Sequence, residues 1–95
     1  MNAFFDDLGR RLAESASREG AAIEPPTLDP AVAKELLELA RVAAHTQERR
    51  FAPLSTFVAG IAAERLRSSF GTAEPEQVAQ LIRQVWQSLD QEHGA

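Results

Sequence analysis

The chain has 95 residues, of which 44% are hydrophobic and 25% charged, and its net charge is -4. This length predicts a single domain over residues 1–95, with one hydrophobic core and too little volume for a deep catalytic cavity. The acidic balance argues against a nucleic-acid-binding protein, because such proteins present a basic face. The absence of cysteine excludes disulfides and thiolate metal sites.

The amino-terminal sequence M-N-A-F-F-D-D-L carries acidic residues where a secretory signal carries basic ones. It therefore predicts a cytoplasmic location. The longest charge-free run, Phe51 to Ala63, is shorter than the ~20 residues that a membrane-spanning helix needs. We expect no membrane span.

The predicted elements are helical throughout, since no segment shows the period-two pattern of a strand. The first helix is predicted over 2–19, with Asn2 as its N-cap and Gly20 at its end. A connection follows, in which two consecutive prolines favour extended backbone.

The second helix is predicted over 30–48, because Asp29 suits the N-cap and Pro30 the first helical position. On this helix we expect Glu35 and Glu38 to project into solvent. The side chains expected to form the broad apolar face are Val32, Ala33, Leu36, Leu37, Leu39, Ala40, Ala43 and Ala44.

The third helix is predicted over 53–69, after a tight connection at Phe51 and Ala52. Because its first half is charge-free, we expect other helices to surround it. A bulky face (Leu54, Phe57, Val58 and Ile61) should fill the core, and a small face (Thr56, Ala59, Gly60 and Ala63) should admit a close helix neighbour, above all at Gly60.

The fourth helix is predicted over 73–91, with Gly71 capping the preceding helix and His93 in a frayed tail. The fold class that follows is all-α: a compact four-helix domain with a central apolar third helix. The side chains expected on the apolar face of the last helix are Val78, Leu81, Ile82, Val85, Trp86 and Leu89.

Signatures of catalysis are missing from the sequence, which has no H-E-x-x-H, glycine-rich phosphate loop or G-x-S-x-G elbow. His45 is expected on a solvated face, and the acidic pairs Asp6/Asp7 and Glu35/Glu38 are expected to be solvated too. We therefore predict a protein that is not an enzyme and uses neither a cofactor nor a metal.

A candidate anion site lies at the start of the third helix. Arg49 and Arg50 precede it, and free backbone amides near Ser55 and Thr56 would receive a phosphate or carboxylate. The alternative is that the two arginines only balance the carboxyl end of the second helix.

Three aromatic residues are candidates for an interface: Phe51, Phe70 and Trp86. Tryptophan is enriched among residues that dominate binding energy. The alternative for Trp86 is a place in the core, where an aromatic on an apolar stripe usually lies.

Two segments carry a resemblance to a known family. They are L-L-E-L-A-R-V-A-A-H (36–45), followed by Arg49 or Arg50, and A-P-L-S-T-F-V-A-G-I-A-A (52–63). The region from about residue 28 to 89 resembles a small bacterial helical domain of unknown function. In that family the domain stands alone or is fused behind nucleotidyltransferases of molybdopterin-guanine dinucleotide biosynthesis. Phe51, where the family often has proline or alanine, and the length of the 20–28 connection depart from the family pattern.

The resemblance implies a link to molybdenum cofactor handling and supplies no catalytic residues. We expect a non-catalytic interaction or accessory module whose partner is such a nucleotidyltransferase or a second copy of the chain in a homodimer. The alternative function is a small-ligand or anion-binding protein that uses the arginine-flanked start of the third helix.

Overall fold

A computed structural model describes residues 2–94, which form four α-helices: α1 (Ala3–Arg18), α2 (Pro30–Thr46), α3 (Phe51–Phe70) and α4 (Pro75–Gly94). No strand occurs within this part of the chain. The all-α, four-helix expectation is confirmed, and every predicted helix end lies within one turn of the observed one.

The backbone contacts divide the chain into two units, one ending at Pro30 and one beginning at Ala31. The first unit contains α1 and the proline connection. The second contains almost all of α2 together with α3 and α4. The single domain over residues 1–95 stays a prediction.

In the first unit, local signals fix both ends of α1. The Asn2 side chain accepts a hydrogen bond from the amide of Phe5 at 3.1 Å, as expected of an N-cap. At the other end Gly20 adopts a positive φ of 92°, and the amides of Gly20 and Ala21 donate to the carbonyls of Ser17 and Ala16. This pair of bonds is a Schellman motif, and it turns the chain out of the helix.

The connection after α1 passes close to the middle of that helix. Gly9 is buried, and a Cβ atom at this position would lie 2.3 Å from the carbonyl oxygen of Pro26. Only glycine leaves room for that carbonyl. This contact at Gly9 was not predicted, although a glycine within an amphipathic helix is a sign of close backbone approach.

In the second unit, the buried face of α2 is rotated from the expected one. Leu37, expected in the core, is 72% exposed. Glu35, expected in solvent, is buried because it lies four and seven residues before Leu39 and Val42, on the same side of the helix. The buried residues of α2 are Ala33, Glu35, Leu39, Val42 and Ala43.

The third helix begins at Phe51, two residues earlier than predicted. The amides of Phe51 and Ala52 donate to the carbonyls of Glu48 and Arg49, forming a tight turn that leads into the helix. Pro53 then falls in the first turn, where its missing N–H costs little. Gly71 ends the helix with a φ of 80°, as predicted.

The expectation that other helices enclose α3 is wrong, because none of its twenty residues is buried. Its two faces also have the opposite roles to those expected. The small face is half-buried at Thr56, Ala59 and Ala63, whereas Phe57 and Val58 of the bulky face are 70% and 64% exposed. Small side chains let the helix lie close to its own unit, which leaves the large apolar side chains facing outward.

Gly60 was expected at a close helix contact, and this is also wrong. A Cβ atom built at Gly60 meets no atom within 4 Å, and the residue is exposed. The close approach that the sequence suggested at Gly60 occurs instead at Gly9.

Candidate functional site

An apolar groove lies between α3 and α4, two helices of the second unit that contact each other. It has a volume of about 400 Å³. We call it the α3–α4 groove. It is lined by Leu39 from α2, by Phe51, Leu54, Ser55, Val58, Ala59 and Ala62 from α3, and by Leu81, Ile82, Val85 and Leu89 from α4.

The chemistry of the groove is almost entirely hydrocarbon. Ser55 contributes the one polar side chain among the described residues that line it, and none of them is charged. A catalytic site needs titratable or nucleophilic groups that converge on a substrate. This lining is suited to hold apolar side chains.

Bulky apolar side chains continue from the groove onto the outer face of α3. Leu54, Phe57 and Val58 are each at least 60% exposed, and Ile61 lies on the same side. We call these four residues the α3 bulky face. Single exposed apolar residues are ordinary, whereas groups of them are typical of surfaces that bind proteins, membranes or ligands.

The apolar character of α3 does not indicate a membrane-spanning helix. Within residues 2–94, no helix combines the length and the apolar character needed to cross a bilayer.

A polar cluster around one buried carboxylate links α2 to α4 away from the groove lining. The Glu35 carboxylate, whose residue is 2% exposed, accepts one hydrogen bond from Arg83 Nη2 at 2.8 Å and another from Trp86 Nε1 at 2.9 Å. Arg83 and Trp86 are three residues apart on α4, so they present their donors on one side of that helix. The three side chains form the α2–α4 polar cluster.

The donors keep Glu35 ionised. The hydrogen bond from Arg83, followed by that from Trp86, lowers the pKa of the Glu35 carboxyl below its usual value, although burial acts in the opposite direction. A general base needs a pKa near the working pH and access to a substrate proton, and this enclosed carboxylate has neither. Its arrangement fits a structural role.

Sequence reasoning missed this cluster, because Glu35 was assigned to solvent and Arg83 was not considered. Two signals were present. Glu35 shares a helical stripe with Leu39 and Val42, and α4 carries a cation and an indole N–H at a spacing of three.

The candidate anion site was based partly on free backbone amides, and the structure does not contain them at the expected positions. Since α3 begins at Phe51, the amides near Ser55 and Thr56 lie inside the helix and are not free. The Thr56 hydroxyl donates to the Pro53 carbonyl at 2.8 Å, and Arg50 forms an ion pair with Glu48 at 3.4 Å. Arg49 is exposed. Anion binding by the two arginines stays a prediction.

The three candidate interface residues lie in three different settings. Phe51 lines the α3–α4 groove. Phe70, at the end of α3, is exposed beside a shallower depression that includes Leu66 and Leu81. Trp86 is half-buried, and its Nε1–H donates a hydrogen bond to the Glu35 carboxylate. An interface role for each stays a prediction.

The histidines are closer together than the sequence suggested. His93 was placed in a frayed tail, but α4 continues to Gly94, and the rings of His45 and His93 lie 6.3 Å apart at centroids in an edge-to-face arrangement. No group of three metal-ligating side chains occurs in the described part of the chain.

Two other acidic residues considered as site candidates, Asp7 and Glu38, belong to ion pairs on helix surfaces. Asp7 interacts with Arg10 and Arg11, and Glu38 lies 2.9 Å from Arg41. The guanidinium of Arg11, and then that of Arg10, lowers the pKa of the Asp7 carboxyl. These pairs stabilise single helices and do not converge on a shared site.

Comparison with known proteins identifies a family for the chain. No curated protein and no solved structure matches the chain. A family model described as a domain of unknown function, DUF6457, matches residues 1–95, so the match includes α1 and the proline connection as well as the motif-bearing helices. The chain therefore belongs to the DUF6457 family.

Proposed function

We propose that this protein is a non-catalytic interaction module that binds a partner protein through the α3 bulky face and the adjoining α3–α4 groove. The observation that carries the proposal is the orientation of α3. Its small side chains lie toward its own unit, while Phe57 and Val58 face outward with most of their surface accessible. When a second protein covers an apolar face of this kind, the removal of its surface from water favours binding.

The form of the groove favours a protein ligand over a small polar one. Sites for small ligands combine apolar walls with a few placed polar groups that fix orientation. Here Ser55 is the one polar side chain in the described lining. A row of apolar side chains beside a groove is typical of recognition between amphipathic helices.

The partner that we propose is a nucleotidyltransferase of molybdopterin-guanine dinucleotide biosynthesis. This choice rests on the resemblance of residues 36–45 and 52–63 to the family in which such fusions occur. Within this proposal the protein acts in the cytoplasm as an accessory to molybdenum cofactor synthesis. The apolar face would be the surface that docks the nucleotidyltransferase.

The proposal is tested by titrating the purified nucleotidyltransferase from the same genome with the labelled protein and measuring the dissociation constant. We expect saturable binding, and we expect Phe57→Ser to weaken it at least tenfold. Gln87→Ser, on an exposed position of α4 outside the groove lining, is the matched control and should bind like the wild type. Absence of binding by the wild type, or equal loss in both variants, would contradict the proposal.

A further inference from the structure

We propose that in the isolated protein the α3 bulky face is covered by a second copy of the same chain, in a two-fold symmetric dimer with antiparallel α3 helices and Val58 next to the axis. This inference rests on the proposed function, because it names an occupant of the same surface. Two-fold dimers pair one surface patch with itself, so the patch must be self-complementary.

The spacing of the exposed residues fits a helix pair. Phe51, Leu54, Val58, Ile61 and Arg65 follow one another at intervals of three and four residues. This is the spacing with which side chains of one helix enter the gaps of another. In an antiparallel pair Val58 meets its own symmetry mate, and each Leu54 lies near Ile61 of the second copy.

The size of the patch approaches what a stable dimer needs. The exposed parts of seven apolar side chains amount to roughly 600 Å² per chain. A standard interface buries about 800 Å² on each partner, part of it from a polar rim. The seven residues are Phe51, Leu54, Phe57, Val58, Ile61, Val85 and Leu89.

Charge also permits self-pairing. No charged residue occurs between Phe51 and Ala63, so two copies of this face meet without like-charge repulsion. Arg65 lies as far after Val58 as Phe51 lies before it. Antiparallel pairing therefore brings each Arg65 over Phe51 of the second copy, where a guanidinium is attracted to the aromatic ring.

The absence of cysteine makes a direct test practical, since any introduced thiol is unique. Val58→Cys places one thiol from each copy next to the proposed axis. Gly60→Cys places it on an exposed position of α3 away from the bulky face, where an added Cβ meets no atom within 4 Å. After mild oxidation at about 10 μM protein, we expect Val58→Cys to form disulfide-linked dimer at least tenfold faster than Gly60→Cys.

Sedimentation equilibrium supplies the second measurement. The wild type should have twice the mass of one chain, and Val58→Glu, which places two carboxylates at the axis, should have the mass of one chain with unchanged helical circular dichroism. A wild type that stays monomeric at about 100 μM would overturn the inference. So would a dimer that persists in Val58→Glu or crosslinks equally well through both cysteines.

The result of the dimer test can be distinguished from the result of the nucleotidyltransferase-binding test. A monomeric wild type that binds the nucleotidyltransferase and loses binding in Phe57→Ser overturns the dimer and leaves the proposed function intact. A dimer that crosslinks through Val58→Cys but does not bind the nucleotidyltransferase supports the dimer and contradicts the proposed partner.

Discussion

The indole N–H of Trp86 donates to the Glu35 carboxylate at 2.9 Å, so a residue of α4 satisfies a charge buried on α2. Replacing Glu35 with alanine leaves two donors without their acceptor. We expect Glu35→Ala to lower the free energy of unfolding by about 1–3 kcal/mol. Trp86 is the only tryptophan, so its fluorescence during urea denaturation reports on this contact directly.

The matched control for that measurement is Glu64→Ala. Glu64 also pairs with an arginine, Arg67, but both side chains are more than half exposed and belong to the same helix. Such surface pairs contribute little to stability. Equal destabilisation by both substitutions would show that burial of Glu35 does not increase the contribution of its contacts to the free energy of unfolding.

Acid should weaken the α2–α4 polar cluster specifically. The pKa of Glu35 is lowered in the folded protein, so folding favours the carboxylate, and this share of stability is fully present above the unfolded pKa of about 4.5. It is lost as the pH falls below that value toward the folded pKa. We expect the difference in unfolding free energy between wild type and Glu35→Gln to be largest at pH 6–7 and to shrink below about pH 4.5. A difference that stays constant from pH 7 to pH 3.5 would contradict this assignment.

Two glycines within helices should respond in opposite directions to the same substitution. In Gly9→Ala the new methyl group collides with the Pro26 carbonyl at 2.3 Å, so we expect destabilisation of about 1–3 kcal/mol despite the better helix propensity of alanine. Gly60→Ala meets no atom within 4 Å and should stabilise the protein by up to about 1 kcal/mol. Thermal unfolding of both variants provides the comparison, and the same sign for both would refute the close approach at Gly9.

The helices themselves were predictable because their signals are local. The Asn2 side chain caps α1, and Pro30 and the glycines at positions 20 and 71 act through backbone geometry. These effects reach only a few residues and do not depend on how helices pack. The end of α4 was predicted three residues too early, and no breaker stops this helix before Gly94.

The burial of α3 could not be predicted because an apolar run has the same sequence whether its own chain or another protein covers it. The division of α3 into a bulky face and a small face was predicted, but not which of them lies toward its own unit. Which face turns inward depends on how closely the backbones approach, and here the small face at Ala59 and Ala63 is the half-buried one. For the same reason the α3–α4 groove was absent from the sequence-based list of sites, apart from Phe51 and Ser55.

The rotated face of α2 allows a last test with two leucines that the sequence treats alike. Leu39 is 6% exposed and contributes to the lining of the α3–α4 groove, so Leu39→Ala removes buried hydrocarbon and leaves a void; we expect a loss of about 2–5 kcal/mol. Leu37 is 72% exposed, so Leu37→Ala removes little buried surface. We expect this substitution to change the free energy of unfolding by less than about 0.5 kcal/mol. Urea denaturation of both variants measures the contrast. A large loss in Leu37→Ala would mean that the buried face of α2 is the one expected from the sequence, and that Glu35 is not where the structure places it.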